Sequence, residues 1–231
     1  MDKLLEVSGL DLKVDLYRIL YDLDFFVGTN EIVAIIGENG SGKTMTLRSI
    51  VGLEDATVDK LQFKNDDLDG LPPHKRVEKG LSYCPSEAQL FPEMSVKENL
   101  EMGKYLYPEE VDQSTRFAYE LFPDLRRLIN RQASKLSGGE RQMVALSKAL
   151  MVHPDLLLLD EFSLGLARGI TLEFSEKIKE VFNSGTSVLF VEQNIHLAAE
   201  LAQRDYYMIE GAIEKRNVLP KSNRKASVND S

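Results

Sequence analysis

Tryptophan is absent, cysteine occurs once and histidine three times in this chain of 231 residues. The lone thiol, Cys84, excludes an internal disulfide framework. Three scattered histidines supply no zinc-ligand spacing. No apolar run approaches the roughly 18–20 residues needed to span a membrane. The opening MDKLLEVSGLDLKVD lacks the basic-then-apolar layout of a secretory leader, so a cytosolic protein is expected. Positive charge is also short: 28 Lys and Arg against 37 Asp and Glu leave a formal charge of −9. That balance excludes a protein that coats nucleic acid. No internal repeat breaks the chain into modules.

What is present suits a globular core. Hydrophobic residues make up 43% and charged residues 28%, which is ordinary for a folded domain. At about 150 residues per domain the length implies roughly one and a half domains, so one domain with an insertion is expected. LEV at 5–7 and DLKVDL at 11–16 alternate as short strands. EIVAIIG at 31–37 reads as a buried strand, and KTMTLRSIVGL at 43–53 as a helix. Helical periodicity dominates from about 86 to 135; strand patterns return at LLLLD (156–160) and SVLFVE (187–192). Strand–helix alternation on both sides of a helical insert predicts an α/β fold with a mostly parallel sheet, the insert forming its own lobe. The last 17 residues, from Lys215, carry five basic residues and one acid. Two readings stand for this polar tail: a solvated segment, or docking onto an anionic membrane surface.

Residues 37–44 read GENGSGKT, which satisfies G-x-x-x-x-G-K-[ST] between a strand and a helix. Gly37, Gly40 and Gly42 permit backbone shapes that point N–H groups at a phosphate. The helix starting near Lys43 adds its positive end. Glu38, Asn39, Ser41 and Met45 complete the candidate contacts; Lys43 would place its charge on β- and γ-phosphates, and the Thr44 hydroxyl would ligate Mg2+. The alternative is a plain glycine turn. Further on, four leucines run into Asp160 and Glu161. A strand buried on both faces delivers carboxylates to the sheet's carboxyl edge. Asp160 is the candidate Mg2+ holder and Glu161 the candidate that polarises the attacking water.

LSGGE at 136–140 begins a helix: Ser137 and Glu140 fit a capping box, Met143, Leu146, Ser147 and Leu150 follow helical spacing, and Pro154 ends it. A cap does not need Gly138 and Gly139, so room for a ligand at the backbone is the functional reading. The exposed helix start is expected to need an anion that its own sequence neighbourhood does not supply.

Together these segments resemble the ATP-binding subunits of ABC transporters, with GENGSGKT as Walker A, LLLLDE as Walker B and LSGGE as the signature. The resemblance covers about residues 4–216 and extends to SLGLA (163–167) as the D-loop and FVEQN (190–194) as the switch region. CPSEAQLFPEMSVKENLEMG, LFPDL and VEQN are similar to the subgroup serving branched-chain amino-acid and urea or amide importers. The resemblance implies a P-loop NTPase (RecA-like) core over 1–85 and 136–214, an N-terminal antiparallel β region, a helical subdomain over 86–135 and a tail over 215–231. It implies ATP and Mg2+ as ligands, hydrolysis of ATP, and permease subunits as partners on the inner face of the membrane. It also implies a head-to-tail dimer, with itself or a paralogous ATPase, in which ATP lies between Walker A and the partner's Ser137 loop.

Several positions depart from the family pattern. The Q-loop glutamine or glutamate is Ser86, with Glu87 next; the shorter hydroxyl reaches Mg2+ only through a bridging water, or Glu87 turns inward to the metal instead. The switch histidine is Gln193, which can bond a γ-phosphate but cannot carry a proton, as in the importer subgroup; His196 is expected at the surface. The adenine-stacking aromatic aligns with Val14, leaving Tyr17 as the nearby candidate or an ordinary tyrosine. Phe162 and Arg168 replace prolines around the D-loop, and Asn30 takes a common glycine position. Leu90, Phe91 and Met94 either line a groove for a permease helix or pack the core. Three other functions stand against the transporter ATPase: a regulatory partner that hydrolyses poorly, a DNA-maintenance ATPase and a small-molecule kinase. The roughly 90 residues between Walker A and LSGGE leave no room for the long coiled coils of the second. The kinase has no use for LSGGE.

Overall fold

The computed structural model describes residues 2–105 and 111–216. The basic tail beyond Arg216, on which the membrane-docking reading falls, lies outside the described residues. Two compact units form, Met1–Arg76 with Ser187–Ser231, and Val77–Thr186. The expected helical insert, 86–135, falls within the second unit.

The first unit holds an antiparallel sheet and a mostly parallel one. β1 (Lys3–Val14) and β2 (Tyr17–Gly28) make a long hairpin, where two short strands were expected at its start. One irregularity explains the broken pattern. Leu5 and Val7 are buried at odd positions and Leu10 and Leu12 at even ones. The register slips between Val7 and Leu10, around Gly9 at φ 61°, so a bulge restores the inward face. β4 (Lys60–Phe63) pairs with β1 and turns through Lys64 and Asn65, both left-handed, into β5 (Asp66–Asp67). In the other sheet β3 (Ile32–Ile36) lies parallel to β8 (Ser187–Glu192) and β9 (Arg204–Ile209), with β10 (Ala212–Arg216) antiparallel to β9. Every residue of β3 and β8 is buried, as their unbroken apolar runs require. Asn30, in its glycine-like position, has φ 52°, a conformation that asparagine tolerates better than most residues.

The phosphate-loop helix α1 (Lys43–Ile50) ends on a buried cation. Arg76, in α2 (Pro73–Glu78), donates from Nη1 to Ser49 O and Ile50 O at 2.9 and 2.7 Å, and from Nε to Leu71 O at 2.8 Å. It thereby satisfies carbonyls that the helix leaves open at its negative end. Burial pulls the guanidinium below its ordinary value.

In the second unit β6 (Leu81–Cys84) and β7 (Leu156–Asp160) pair in parallel. Between and after them come α3 (Val96–Gly103), α4 (Val111–Leu121), α5 (Leu125–Leu128), α6 (Gly138–Leu150) and α7 (Arg168–Asn183); α8 (Ile195–Leu201) belongs to the first unit. A Cβ on Gly103 would lie 2.5 Å from Lys148 O, so this glycine lets the end of α3 close on α6. Cys84 is buried in this core, and desolvation pushes its thiol up to about 12, so it is an inert packing group.

The Arg76 cap yields the first prediction. Arg76→Ala should lower the unfolding free energy by about 2 kcal/mol, the scale of a charged hydrogen-bond set lost in a buried place, read from the urea midpoint. Arg76→Lys, a charge without the fork, should recover less than half of that loss.

Candidate functional site

In the first unit, β3 runs out at Ile36 and the chain turns through Gly37–Gly42 into α1. Gly40 and Gly42 have φ 78° and 102°, the left-handed region that glycine occupies without strain. A Cβ on Gly37 would sit 2.5 Å from Met208 O and from Ser41 Oγ, so the loop folds tightly on itself at its start. Nothing lies within 4 Å of a Cβ placed on Gly40, so the crest of the loop is open. The helix has no side-chain cap at Gly42 and no acidic residue in its first turn, leaving its positive end without a local carboxylate. Lys43 is buried, with Nζ donating to Glu38 O at 2.9 Å, so its ammonium lies over the loop. Ser41 Oγ is buried without a hydrogen-bond partner. Open crest, ammonium and uncapped helix end together fit a polyphosphate.

The end of β8 is tied to the same loop. Gly37 N donates to Glu192 O at 3.2 Å, and Gln193 Nε2 donates to Asn39 Oδ1 at 2.5 Å. The switch amide is therefore held at the cradle. β2 also reaches it: a Cβ on Gly42 would meet Leu20 Cδ2 at 2.8 Å. Tyr17, three residues earlier, is 75% exposed, and His196 is exposed as expected.

In the second unit, β7 ends at Asp160, 1% exposed, whose Oδ2 accepts from Tyr83 Oη at 3.0 Å. That phenolic donor is neutral and adds no positive charge, and a carboxylate is a hard oxygen donor of the kind that suits Mg2+. Glu161 follows at φ 40°, a strained conformation for a side chain of this size. The Q-loop is strained as well, with Ala88 at φ 59° and Gln89 at φ 20°. Ser86 is half-buried and Glu87 exposed. Asn99, fully buried, accepts from Phe91 N and donates to Phe91 O, pinning the far side of this loop. Leu90 and Met94 are half-buried, while Phe91 is exposed with Lys148 Nζ 4.8 Å from its ring centroid.

The signature helix α6 starts with the capping box. Ser137 Oγ accepts from Glu140 N at 3.2 Å, and Glu140 Oε2 accepts from Ser137 N at 2.8 Å. This corrects one expectation: the helix start does receive an anion from its own neighbourhood, the Glu140 carboxylate. The box leaves the amides of Gly138 and Gly139 outside it. Space beside Gly138 is open, whereas a Cβ on Gly139 would come 3.3 Å from Ile170, so the second glycine also serves packing. Three features were not read from the sequence: the Tyr83–Asp160 bond, the strain at Glu161 and the Gln193–Asn39 bond. The first depends on strand register, and the others on loop conformation.

The ABC transporter family model matches residues 20–163. The chain is 37% identical over 199 residues to a high-affinity branched-chain amino acid transport ATP-binding protein, BraG, of Pseudomonas aeruginosa, covering 84% of each. It is 35% identical to a probable branched-chain amino acid transport ATP-binding protein, LivF, of Archaeoglobus fulgidus, covering 85% of this chain and 84% of that one. The lipopolysaccharide export system ATP-binding protein LptB of Haemophilus influenzae is 32% identical, with 85% and 83% covered. A solved ATP-binding cassette of an ABC transporter in its ADP conformation superposes with a TM-score of 0.82 at 24% identity, covering 94% and 91%. The chain belongs to the ABC transporter family, as an ATP-binding cassette. Its activity class is ATP hydrolysis.

The capping box makes a prediction about acid. The Ser137 amide, ahead of other causes, holds the Glu140 carboxyl below its ordinary 4.5. A carboxyl lowered by folding stabilises the fold above its unfolded value, and that contribution is lost as pH falls through the folded value. The stability difference between wild type and Glu140→Gln, from urea unfolding, should therefore be constant above about pH 5 and shrink below the unfolded value. Ser137→Ala should cost about 1 kcal/mol at neutral pH.

Proposed function

We propose that this chain is the ATP-hydrolysing subunit that powers an ABC importer of branched-chain amino acids or a related small polar solute. It works at the inner face of the cell membrane, held there by permease subunits, as a head-to-tail dimer with itself or a paralogous ATPase. The observation that carries the reading is Gln193: its amide lies on the phosphate cradle in a VEQN setting similar to that of the importer subgroup. The branched-chain relatives, at 37% and 35% identity, support it over the export relative at 32%.

The roles follow from the donor chemistry. The Gly37–Gly42 amides and Lys43 bind the β- and γ-phosphates, and Tyr17 stacks on adenine. Thr44 and Asp160 would hold Mg2+, assisted by Ser86 through a bridging water or by Glu87 turned inward; the ion would supply charge neutralisation at the phosphates. Glu161 orients the water for in-line attack, and Gln193 holds the γ-phosphate. The partner cassette's signature loop covers the nucleotide through backbone amides and the serine hydroxyl, so ATP acts as an adhesive until hydrolysis removes the contact.

A second reading, a nucleotide-binding partner with weak hydrolysis, draws on the short Ser86 and on the strained backbone at Glu161. Replacing Glu161 separates the two. In the assembly with its permease subunits, Glu161→Gln should lower ATP turnover by about 100-fold or more and accumulate closed dimers with Mg2+ and ATP by gel filtration. An unchanged rate would assign the chain to the weakly hydrolysing class. With that assembly reconstituted in proteoliposomes, Lys43→Ala should abolish uptake of labelled leucine; an assembly that hydrolyses ATP but imports none of the branched-chain amino acids would leave the ATPase reading intact and overturn the cargo.

A further inference from the structure

We propose that Tyr83 is a positioning residue for the metal site: its phenol fixes the Asp160 carboxylate in the orientation in which it receives Mg2+. The inference rests on the proposed role of Asp160 and goes beyond it, to a residue on the neighbouring strand.

Register puts the two side chains together. In the parallel pair of β6 and β7, Tyr83 stands opposite Leu158. Register partners project from the same face of a sheet, and Asp160, two residues past Leu158, shares that face. The gap is about 6.6 Å along the strand, within reach of a tyrosine side chain leaning forward. Tyr83 Oη donates to Asp160 Oδ2 at 3.0 Å.

The choice of donor is chemically specific. Asp160 is 1% exposed and Tyr83 half-buried, so water is a poor substitute for the phenol. A carboxylate has two oxygens and about four lone-pair sites; the phenol engages Oδ2 and adds no charge. An arginine or lysine in its place would compensate the anion and compete with a divalent cation. A neutral donor fixes the rotamer and adds no positive charge of its own to compete with a divalent cation. Three residues beyond Tyr83, the Q-loop presents Ser86, whose short hydroxyl meets a metal only through water. With that ligand weakened, the precision of Asp160 counts for more. Outer partners that orient metal ligands typically contribute 10–100-fold in metal affinity.

The test uses a fluorescent non-hydrolysable ATP analogue bound to the full chain and titrated with Mg2+. Tyr83→Phe removes one oxygen and keeps the ring. The Mg2+ concentration for half-maximal analogue binding should rise about tenfold, while metal-free binding stays within about twofold of wild type. In an Asp160→Asn background the same substitution should add nothing further, because the phenol acts through the carboxylate. A midpoint equal to that of wild type would overturn the inference, and so would a tenfold shift that persists in the background lacking the carboxylate. If the unsubstituted chain binds the analogue with no dependence on Mg2+, the assignment of Asp160 to the metal falls as well. A merely structural role would lower the melting temperature and weaken metal-free binding equally.

Discussion

A strand buried on both faces can offer polar chemistry only where it ends. That constraint organises this molecule. β3 is apolar throughout and gives way to the glycine loop; β8 is buried to Glu192 and gives way to Gln193; β7 is four leucines followed by Asp160 and Glu161. In each case desolvating the strand makes the next residues the first that can meet a ligand. The loop after β3 and the end of β8 are joined directly, Gly37 N to Glu192 O, so the phosphate cradle and the switch amide share one backbone frame. Their relative geometry is set by sheet register, with Ile36 opposite Glu192, and not by flexible side chains.

Charge is handled locally in a chain whose overall balance is acidic. The uncapped start of α1 carries no acidic residue in its first turn, so its positive end is left for an external anion. The start of α6 differs: Glu140 already supplies a carboxylate, and Arg131 lies 3.6 Å from it. An incoming phosphate at that second helix meets two glycine amides and a fixed hydroxyl, with a carboxylate close by that it must tolerate. The first helix start is free of local carboxylates, whereas the second carries one of its own. The proposed dimer assigns them unequal tasks.

The sequence disclosed the strand ends well because their cause is local. LLLLDE, EIVAIIG and GENGSGKT each announce burial followed by chemistry, and the structure places β7 on the leucine run itself. The capping box at Ser137 was legible for the same reason, since its partners are three residues apart. What escaped the sequence depends on distance along the chain or on backbone shape. Tyr83 and Asp160 are 77 residues apart and meet only through the β6–β7 register. The β1 pattern is interrupted because a bulge at Gly9 switches its inward parity; the isolated glycine is the only local mark of that switch and does not by itself set the register. Arg76 reads as one more surface cation until the carbonyls of Ser49 and Ile50 surround it.

Binding and turnover draw on different parts of this architecture. In the proposed site the grip on phosphate comes from backbone amides and one ammonium, so it should be insensitive to most side-chain changes around it. Hydrolysis depends on where single side chains point, and those lie in strained or altered loops: Glu161 at φ 40°, the Ala88–Gln89 turn, and Ser86 in a place suited to a longer residue. A left-handed residue with a large side chain costs about 1 kcal/mol or more, and such a conformation persists only where its surroundings over-determine it. Phe162, 2% exposed, is the buried anchor beside Glu161. An aromatic in a place usually given to proline replaces ring rigidity with core packing as the means of holding that carboxylate. On the proposed roles, the departures from the family pattern bear on the rate of hydrolysis, while the strand ends assigned to nucleotide binding carry the glycine loop and the carboxylates the pattern calls for.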